Sequence, residues 1–237
     1  MLLKRKFYVD EKNYLWFFFV MFDKISIGDN MKEIYLLRHS EGLKKIEQVI
    51  NSDSLQIINE KNPLSVAGEE RANRVASLDE FKNIDIVISS NYVRAMATAK
   101  YFANNNDVVL KIVDSFGERI FGVESWSELP ENFEKRQFEE IDFKLPNGES
   151  RREVSERMYN SLSEVINNFY QDRILIVSHA TAITFLLMKL CVLENGNLMF
   201  NDKVIIDKDF IWQAPDGFKL TFDGGKLIDI SHLSLKF

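Results

Sequence analysis

Short apolar runs alternate with amphipathic segments along most of the chain after Met31. The runs have the length of strands that are buried on both faces of a sheet, and they occupy residues 33–38, 84–90, 108–114 and 173–179. Between them, apolar side chains recur every three or four residues, the spacing of amphipathic helices, at 65–78, 91–105, 150–169 and 180–193. This alternation predicts an α/β fold with three α/β/α layers around a mainly parallel central sheet.

Two element boundaries are marked by particular residues. Ser150 is followed three residues later by Glu153, which is the pattern of a capping box at a helix N-terminus. Near the end of the chain, alternating residues surround Gly224 and Gly225. Paired glycines between alternating segments predict a β-hairpin.

Cationic residues stand at the carboxyl ends of the predicted strands. Arg38 and His39 end the first run, Arg94 falls in the first turn of the helix after the second, and His179 ends the fourth. Because the carboxyl ends of parallel strands meet at one edge of a sheet, where helix N-termini also present N–H groups, these four side chains are expected to converge. Such a set favours an anion, and a phosphoryl group fits the forked guanidinium best.

Taken singly, each histidine could instead be a hydrogen-bonded structural residue. Two of the three histidines end apolar strands, which favours the anion site over that alternative. His232 lies in the tail without a charged companion in its segment, and it is interpreted as structural.

The composition of the chain excludes some classes of protein. The net charge is −6 and the pI is near 5.3, which argues against a nucleic-acid groove. A single cysteine, Cys191, excludes an internal disulfide and suits a reducing compartment, so a cytoplasmic location is expected. Cys191 lies within an apolar stretch and is interpreted as a small buried hydrophobe. Low glycine and proline counts and the lack of a linker favour one domain over residues 31–237.

Residues 1–30 are interpreted as an N-terminal extension of uncertain status. An apolar run of ten residues, Asn13 to Phe22, follows a basic stretch, whereas a membrane-spanning helix needs about 20 residues. No transmembrane segment is therefore expected. The extension either precedes a natural start at Met31 or forms a short element that packs on the domain or lies on a membrane surface.

Six segments, in order, resemble the signature elements of the histidine phosphatase superfamily, the group that contains cofactor-dependent phosphoglycerate mutases and related phosphatases. They are LLRHSEG from Leu36, NPLSVAGEERA from Asn62, SSNYVRAMATAKYFA from Ser89, GERIFGVES from Gly117, LPNGESRREVSER from Leu145 and VSHATAI from Val177. The resemblance implies a phosphoglycerate mutase-like fold.

The resemblance also implies roles for the converging residues. His39 would be the nucleophile that forms a phosphohistidine, an arrangement that divides one displacement into two easier ones. Arg38, Arg94 and His179 would bind the phosphoryl oxygens and stabilise their charge. No metal ion and no cofactor would then be required, and the sequence has no cluster with metal-ligand spacing.

Glu118 matches the acid/base carboxylate of the family, with Glu41 and Glu124 as reserve candidates. Without the resemblance, Glu118 would be interpreted as a surface residue paired with Arg119. Glu149 is interpreted as a first-turn charge beside the cap residue Ser150.

The chain departs from the family pattern at three positions. Ser40 and Ala180 replace the glycines that usually follow the two histidines, although their backbone N–H groups would still bind the phosphate. Lys45 stands where many members have an asparagine that contacts phosphate.

The expected substrate is a small phosphorylated metabolite, and the expected reaction is its hydrolysis. Residues 118–143 are expected to cover the pocket, and they are rich in acidic and aromatic side chains, whereas a mutase holding a doubly charged phosphoglycerate favours extra cations there. Phosphoglycerate mutase activity is the alternative, and a non-catalytic binding module is a third. The charges of 118–143 could equally be a solvated helix face, with the aromatic residues on its core side. Assembly into a homodimer is left open.

Overall fold

A computed structural model gives the fold of residues 31–43 and 54–235. The extension over residues 1–30, and Lys45, lie outside the described residues.

A six-stranded sheet forms the centre of the domain. Its strands stand in the order β3-β2-β4-β1-β8-β9. The strands are β1 (Met31–Arg38), β2 (Ile86–Ser89), β3 (Leu110–Ile112), β4 (Arg173–Ser178), β8 (Asp216–Asp223) and β9 (Lys226–His232). The first four strands in that order pair in parallel, while β8 and β9 form the predicted antiparallel hairpin. The sheet is mixed, with the mainly parallel centre that the sequence predicts.

Helices cover both faces of this sheet. The α-helices of the described residues are α1 (Leu55–Lys61), α2 (Val66–Ala76), α3 (Val93–Asn106), α4 (Phe133–Glu139), α5 (Arg151–Asn168) and α6 (Ala180–Leu190), and the sheet faces are covered by α2, α3, α5 and α6. Successive strand residues point to opposite faces, so Ile34 and Leu36 pack in the core under α5 and α6, whereas Tyr35 and Leu37 pack under α2 and α3. The three-layer prediction is confirmed.

Helix α5 begins as the sequence predicts. The Ser150 hydroxyl accepts the backbone N–H of Glu153, and the Glu153 carboxylate accepts the backbone N–H of Ser150. Two backbone donors at the helix start are thereby satisfied.

The chain after α6 differs from the prediction. The expected helix over 180–193 ends at Leu190, and Cys191 adopts an extended backbone. A second, antiparallel sheet follows, made of β5 (Val192–Glu194), β6 (Asn197–Phe200) and β7 (Lys203–Ile206). Cys191 is half-buried against the main core, and burial raises the pKa of its thiol to about 11.

Across residues 31–43 and 54–235, each helix is too short or too polar to cross a bilayer.

Candidate active site

The carboxyl ends of β1 and β4 lie side by side at one edge of the sheet. His39 directly follows β1, and its backbone N–H donates to the carbonyl of Ser178, the last residue of β4, at 3.0 Å. His179 comes next and caps α6, while Arg94 lies in the first turn of α3. The centroids of the two imidazole rings are 5.1 Å apart. The structure therefore brings three distant segments together at one point.

Arg94 bridges the two histidines. Its Nε donates to Nε2 of His39 at 2.9 Å, and its Nη2 donates to Nδ1 of His179 at 3.2 Å. Its Nη1 donates to the carbonyl of Asn59 in α1. The side chain is only 6% exposed. Because a guanidinium only donates, the two ring nitrogens that face it must be acceptors.

The tautomer of His39 follows from these contacts. Its Nδ1 lies 2.6 Å from the carbonyl oxygen of Ser40, so Nδ1 carries the proton and Nε2 carries the lone pair. Burial holds the pKa of His39 well below 6.5, and the charges of Arg94 and Arg38 lower it further. A neutral imidazole with its lone pair toward a cationic site is suited to nucleophilic attack.

His179 is oriented by a group that sequence reasoning missed. Its Nε2 donates to Oγ of Ser90 at 2.8 Å, and the Tyr92 ring lies 4.5 Å from the imidazole between centroids. Burial, followed by the charges of His39 and Arg94, holds the pKa of His179 well below 6.5. The signal for Ser90 was its place at the end of a buried strand beside the converging cations.

Arg38 ends β1 and is held by the chain segment before β8. Its Nη1 donates to the carbonyls of Trp212 at 3.1 Å and Gln213 at 2.8 Å. Burial lowers the pKa of Arg38, and the negative charges of Glu118 and Asp216 oppose that shift. Its buried Nε has no hydrogen-bond partner among the residues that the structure describes. An anion bound at the site would supply its acceptor.

The structure places Glu118 within electrostatic range of both site arginines, since its charge acts on Arg38 and Arg94. Its Oε1 accepts the backbone N–H of Ala182 in α6 at 3.1 Å. The alternative pairing with the Arg119 side chain is wrong. That guanidinium stacks on Phe121 and pairs with Glu134.

Both hydrogen-bond donors of Ser40, its backbone N–H and its hydroxyl, have acceptors within the protein. Its N–H donates to Oγ1 of Thr98 at 2.9 Å, and its hydroxyl donates to the Gly68 carbonyl at 2.7 Å. Ala180, the first residue of α6, is partly exposed. At Gly68 an added Cβ would lie 2.0 Å from the carbonyl oxygen of Glu41, so this close approach of α2 to the His39 loop requires glycine.

The reserve carboxylates are placed elsewhere. Glu41 pairs with Arg71 at 3.5 Å, and Glu124 is exposed.

His232 has a charged partner that its own sequence segment does not supply. Its Nε2 lies 2.7 Å from Oδ1 of Asp216, which is 3% exposed. Asp216 also accepts the N–H groups of Gln213 and Gly217. This pair therefore stabilises the turn whose carbonyls hold Arg38. No sequence pattern indicates the pair, because Asp216 belongs to a different strand.

A cavity of about 310 Å³ opens beside Glu118. Its lining residues are Gln56, Glu60, Asn91, Tyr92, Asp114, Ser115, Gly117, Glu118, Ile120, Glu149 and Arg157. Within the described part of the chain, four carboxylates thus face one guanidinium in this lining.

Most of the aromatic and charged side chains of residues 118–143 do not line the cavity, although this segment was expected to cover the pocket. Its aromatic residues Phe121, Phe133 and Phe143 pack on one another beside Leu55. Several of its charges pair with cations at the surface, as Glu140 does with Arg136. The alternative interpretation, a solvated face over a small aromatic core, describes these side chains better.

The charge of the site suits an anion. The buried Arg94 guanidinium, the partly buried Arg38 guanidinium and two imidazoles meet there, and the carboxylate of Glu118 lies within electrostatic range of both arginines. In residues 31–43 and 54–235, no three His, Cys, Asp or Glu side chains are grouped as metal ligands.

Comparison with known proteins agrees with this geometry. Residues 34–200 match the histidine phosphatase superfamily (branch 1). The probable phosphoglycerate mutase GpmB of Escherichia fergusonii is 30% identical over 160 residues, which are 65% of this chain and 72% of that relative.

Two solved structures share the fold at low identity. A putative alpha-ribazole-5'-P phosphatase from Escherichia coli has a TM-score of 0.60 at 19% identity and covers 85% of this chain and 95% of its own. A mycobacterial glucosyl-3-phosphoglycerate phosphatase has a TM-score of 0.60 at 15% identity, with coverage of 85% and 97%. The sequence match spans more than half of the chain, so the protein belongs to branch 1 of the histidine phosphatase superfamily.

Proposed function

We propose that this protein is a phosphatase that hydrolyses small phosphomonoesters through a phosphohistidine formed on Nε2 of His39. The observation that carries the proposal is the Arg94 bridge, which joins Nε2 of His39 to Nδ1 of His179. A nucleophilic lone pair and a cationic fork face the same point. That arrangement suits attack on a phosphoryl group whose oxygens need positive partners.

Substrate binding would exchange acceptors around Arg94. Oxygens of the phosphoryl group replace the imidazole nitrogens as its partners, and this frees the Nε2 lone pair of His39. The unpaired Nε of Arg38 is a further donor for the same group. The hydrogen bond from Nδ1 of His39 to the Ser40 carbonyl stabilises the positive charge that the ring gains on attack.

The chemistry then proceeds in two displacements. In the first, Nε2 of His39 attacks phosphorus, the bond from phosphorus to the ester oxygen breaks, and the Glu118 carboxyl gives its proton to the departing alkoxide. In the second, the Glu118 carboxylate removes a proton from water, whose oxygen attacks phosphorus. The phosphorus–nitrogen bond breaks, its electron pair returns to Nε2, and phosphate leaves.

Charge stabilisation comes from Arg38, Arg94 and His179 in this scheme. These groups supply what a divalent cation supplies in other phosphoryl-transfer sites. Turnover is therefore expected to survive chelation.

The cavity beside Glu118 favours hydrolysis over mutase activity. The alcohol part of the substrate leaves from the side of the acid, and there four carboxylates face one guanidinium among the described residues. A carboxylate-bearing phosphoglycerate would meet repulsion in such a lining. The relative named as a probable phosphoglycerate mutase supports the second candidate, phosphoryl transfer between hydroxyl groups.

The test compares phosphate release from an aryl phosphate with and without EDTA, using wild type and His39→Ala. We expect turnover that is unchanged by EDTA and lost in the variant. Equal rates for the two proteins would reject the assignment, and binding of phosphate without any turnover would support a non-catalytic module.

A second assay separates the two reactions. With 3-phosphoglycerate as substrate, free phosphate is expected, whereas accumulation of 2-phosphoglycerate would make the protein a mutase.

A further inference from the structure

Arg157 of α5 has an unusually complete set of partners beside the site. Its Nε and Nη2 donate to the two carboxylate oxygens of Glu149 at 2.7 and 2.9 Å. Its Nη1 donates to the carbonyls of Ser115 and Gly117 at 2.8 and 3.0 Å, and its Nη2 donates to the carbonyl of Glu118 at 3.0 Å. The Arg157 guanidinium thus binds three backbone carbonyls in residues 115–118, and the last of them belongs to Glu118, the proposed acid.

Glu149 holds the other end of the same loop. Its Oε2 accepts the N–H of Ile120 at 2.9 Å, and its own backbone N–H donates to the Ile120 carbonyl at 2.9 Å. The first-turn role expected for Glu149 is therefore incomplete, because its carboxylate faces Arg157 and Ile120. Together the two side chains fix residues 115–120 from both sides.

This pair is shielded and geometrically demanding. The Arg157 and Glu149 side chains are 22% and 17% exposed. A planar guanidinium can satisfy a carboxylate with two parallel bonds while its remaining N–H groups reach separate carbonyls. A lysine ammonium keeps the charge but lacks the fork, so it cannot reproduce this set.

We propose that Arg157, oriented by Glu149, is a positioning residue that places the Glu118 carboxyl for proton transfer to the leaving group. The inference rests on the proposed function, in which Glu118 is the acid. Beyond the Arg157 bond to its carbonyl, Glu118 is held through Oε1, which accepts the backbone N–H groups of Ala182 at 3.1 Å and of Arg119 at 2.9 Å. Loss of the Arg157 bonds releases the backbone under the carboxyl, and a displacement of about 1 Å can lower a rate about 100-fold.

The test uses leaving groups that differ in their need for a proton. The value of kcat/KM reports steps up to formation of the phosphohistidine, so it isolates the first displacement. For Arg157→Lys we expect kcat/KM to fall about 100-fold with β-glycerol phosphate, whose alkoxide needs a proton. With 2,4-dinitrophenyl phosphate, whose leaving group is stable as an anion, we expect a fall of no more than about threefold.

Arg152→Lys is the matched control on the same helix. Arg152 is exposed and makes a two-point contact with Asp142 at 2.6 and 3.0 Å. It should leave kcat/KM unchanged for both substrates. Thermal unfolding of each variant verifies the fold, and Glu149→Gln, expected to show the same substrate-dependent loss, serves if Arg157→Lys does not fold.

The variant Glu118→Gln tests the acid role of Glu118 separately from the positioning role of Arg157. If this variant loses activity equally for both substrates, the acid role in the proposed function fails. If it shows the leaving-group dependence and Arg157→Lys does not, the positioning role alone is overturned. The double variant Glu118→Gln/Arg157→Lys is expected to be no slower than Glu118→Gln, because Arg157 acts through the acid.

Discussion

The two buried histidines of the site should make the domain less stable as the pH falls from 7.5 to 5.5. Burial and neighbouring positive charges hold the pKa values of His39 and His179 well below their ordinary value of 6.5. Below pH 6.5 the unfolded chain therefore takes up protons that the folded chain does not. This stability is present above pH 6.5 and is lost as the pH decreases through that value.

The size of this decrease in the free energy of unfolding follows from proton linkage. Two histidines that stay neutral in the folded protein lower the free energy of unfolding by about 3 kcal/mol at pH 5.5 relative to pH 7.5. Urea unfolding followed by tryptophan fluorescence, in phosphate-free buffers at both pH values, measures this for wild type and for His39→Asn/His179→Asn. All other side chains are the same in the two proteins, so their contributions cancel in the comparison.

We expect wild type to lose about 3 kcal/mol more than the double variant between the two pH values. Each single variant should recover about half of that difference. Equal losses in wild type and the double variant would mean that the histidines titrate normally in the folded protein, which would refute the argument from burial.

Three further substitutions test separate parts of the structure. Arg94→Lys should lower kcat/KM at least about 100-fold, because one ammonium cannot bridge His39 and His179; steady-state kinetics would reject the bridge if the loss is smaller than tenfold. Ser150→Ala should lower the free energy of unfolding by about 1 kcal/mol through loss of the capping box, without a change in kinetics. Gly68→Ala should lower the melting temperature, since its Cβ would meet the Glu41 carbonyl; an unchanged melting temperature would contradict that contact.

The strands and the position of the site could be predicted from the sequence for a simple reason. A strand that is buried on both faces must be apolar along its whole length, so the first charged residue marks the point where the chain leaves the core. Arg38 and His179 stand at such points, and the structure places them at the same edge of the sheet. Their convergence was expected because the carboxyl ends of parallel strands meet at one edge of a sheet.

Contacts between distant segments could not be predicted in this way. Arg157 resembles any cation on the polar face of an amphipathic helix, yet the three carbonyls that it binds lie 39 to 42 residues earlier in the chain. Ser90 and Asp216 reach their histidines across 89 and 16 residues. Hydrophobic periodicity reports which face of an element is buried, and it carries no information about such polar pairs.

The end of α6 shows a further limit. The apolar stretch through Leu193 continues a helical pattern, but Cys191 has an extended backbone and β5 follows it, paired with β6, whose Leu198 packs on the central core. Tertiary packing decided between helix and strand in a segment that is apolar enough for either.

The most direct test of the account is to trap the covalent intermediate. A phosphomonoester substrate is mixed with excess enzyme, the reaction is quenched within milliseconds at alkaline pH, where phosphohistidine is preserved, and the phosphorylated residue is located by peptide mass spectrometry and ³¹P NMR. We expect one phosphoryl group, on Nε2 of His39 and absent from His39→Ala. Turnover without a phosphorylated enzyme, or a phosphoryl group on another residue, would contradict it.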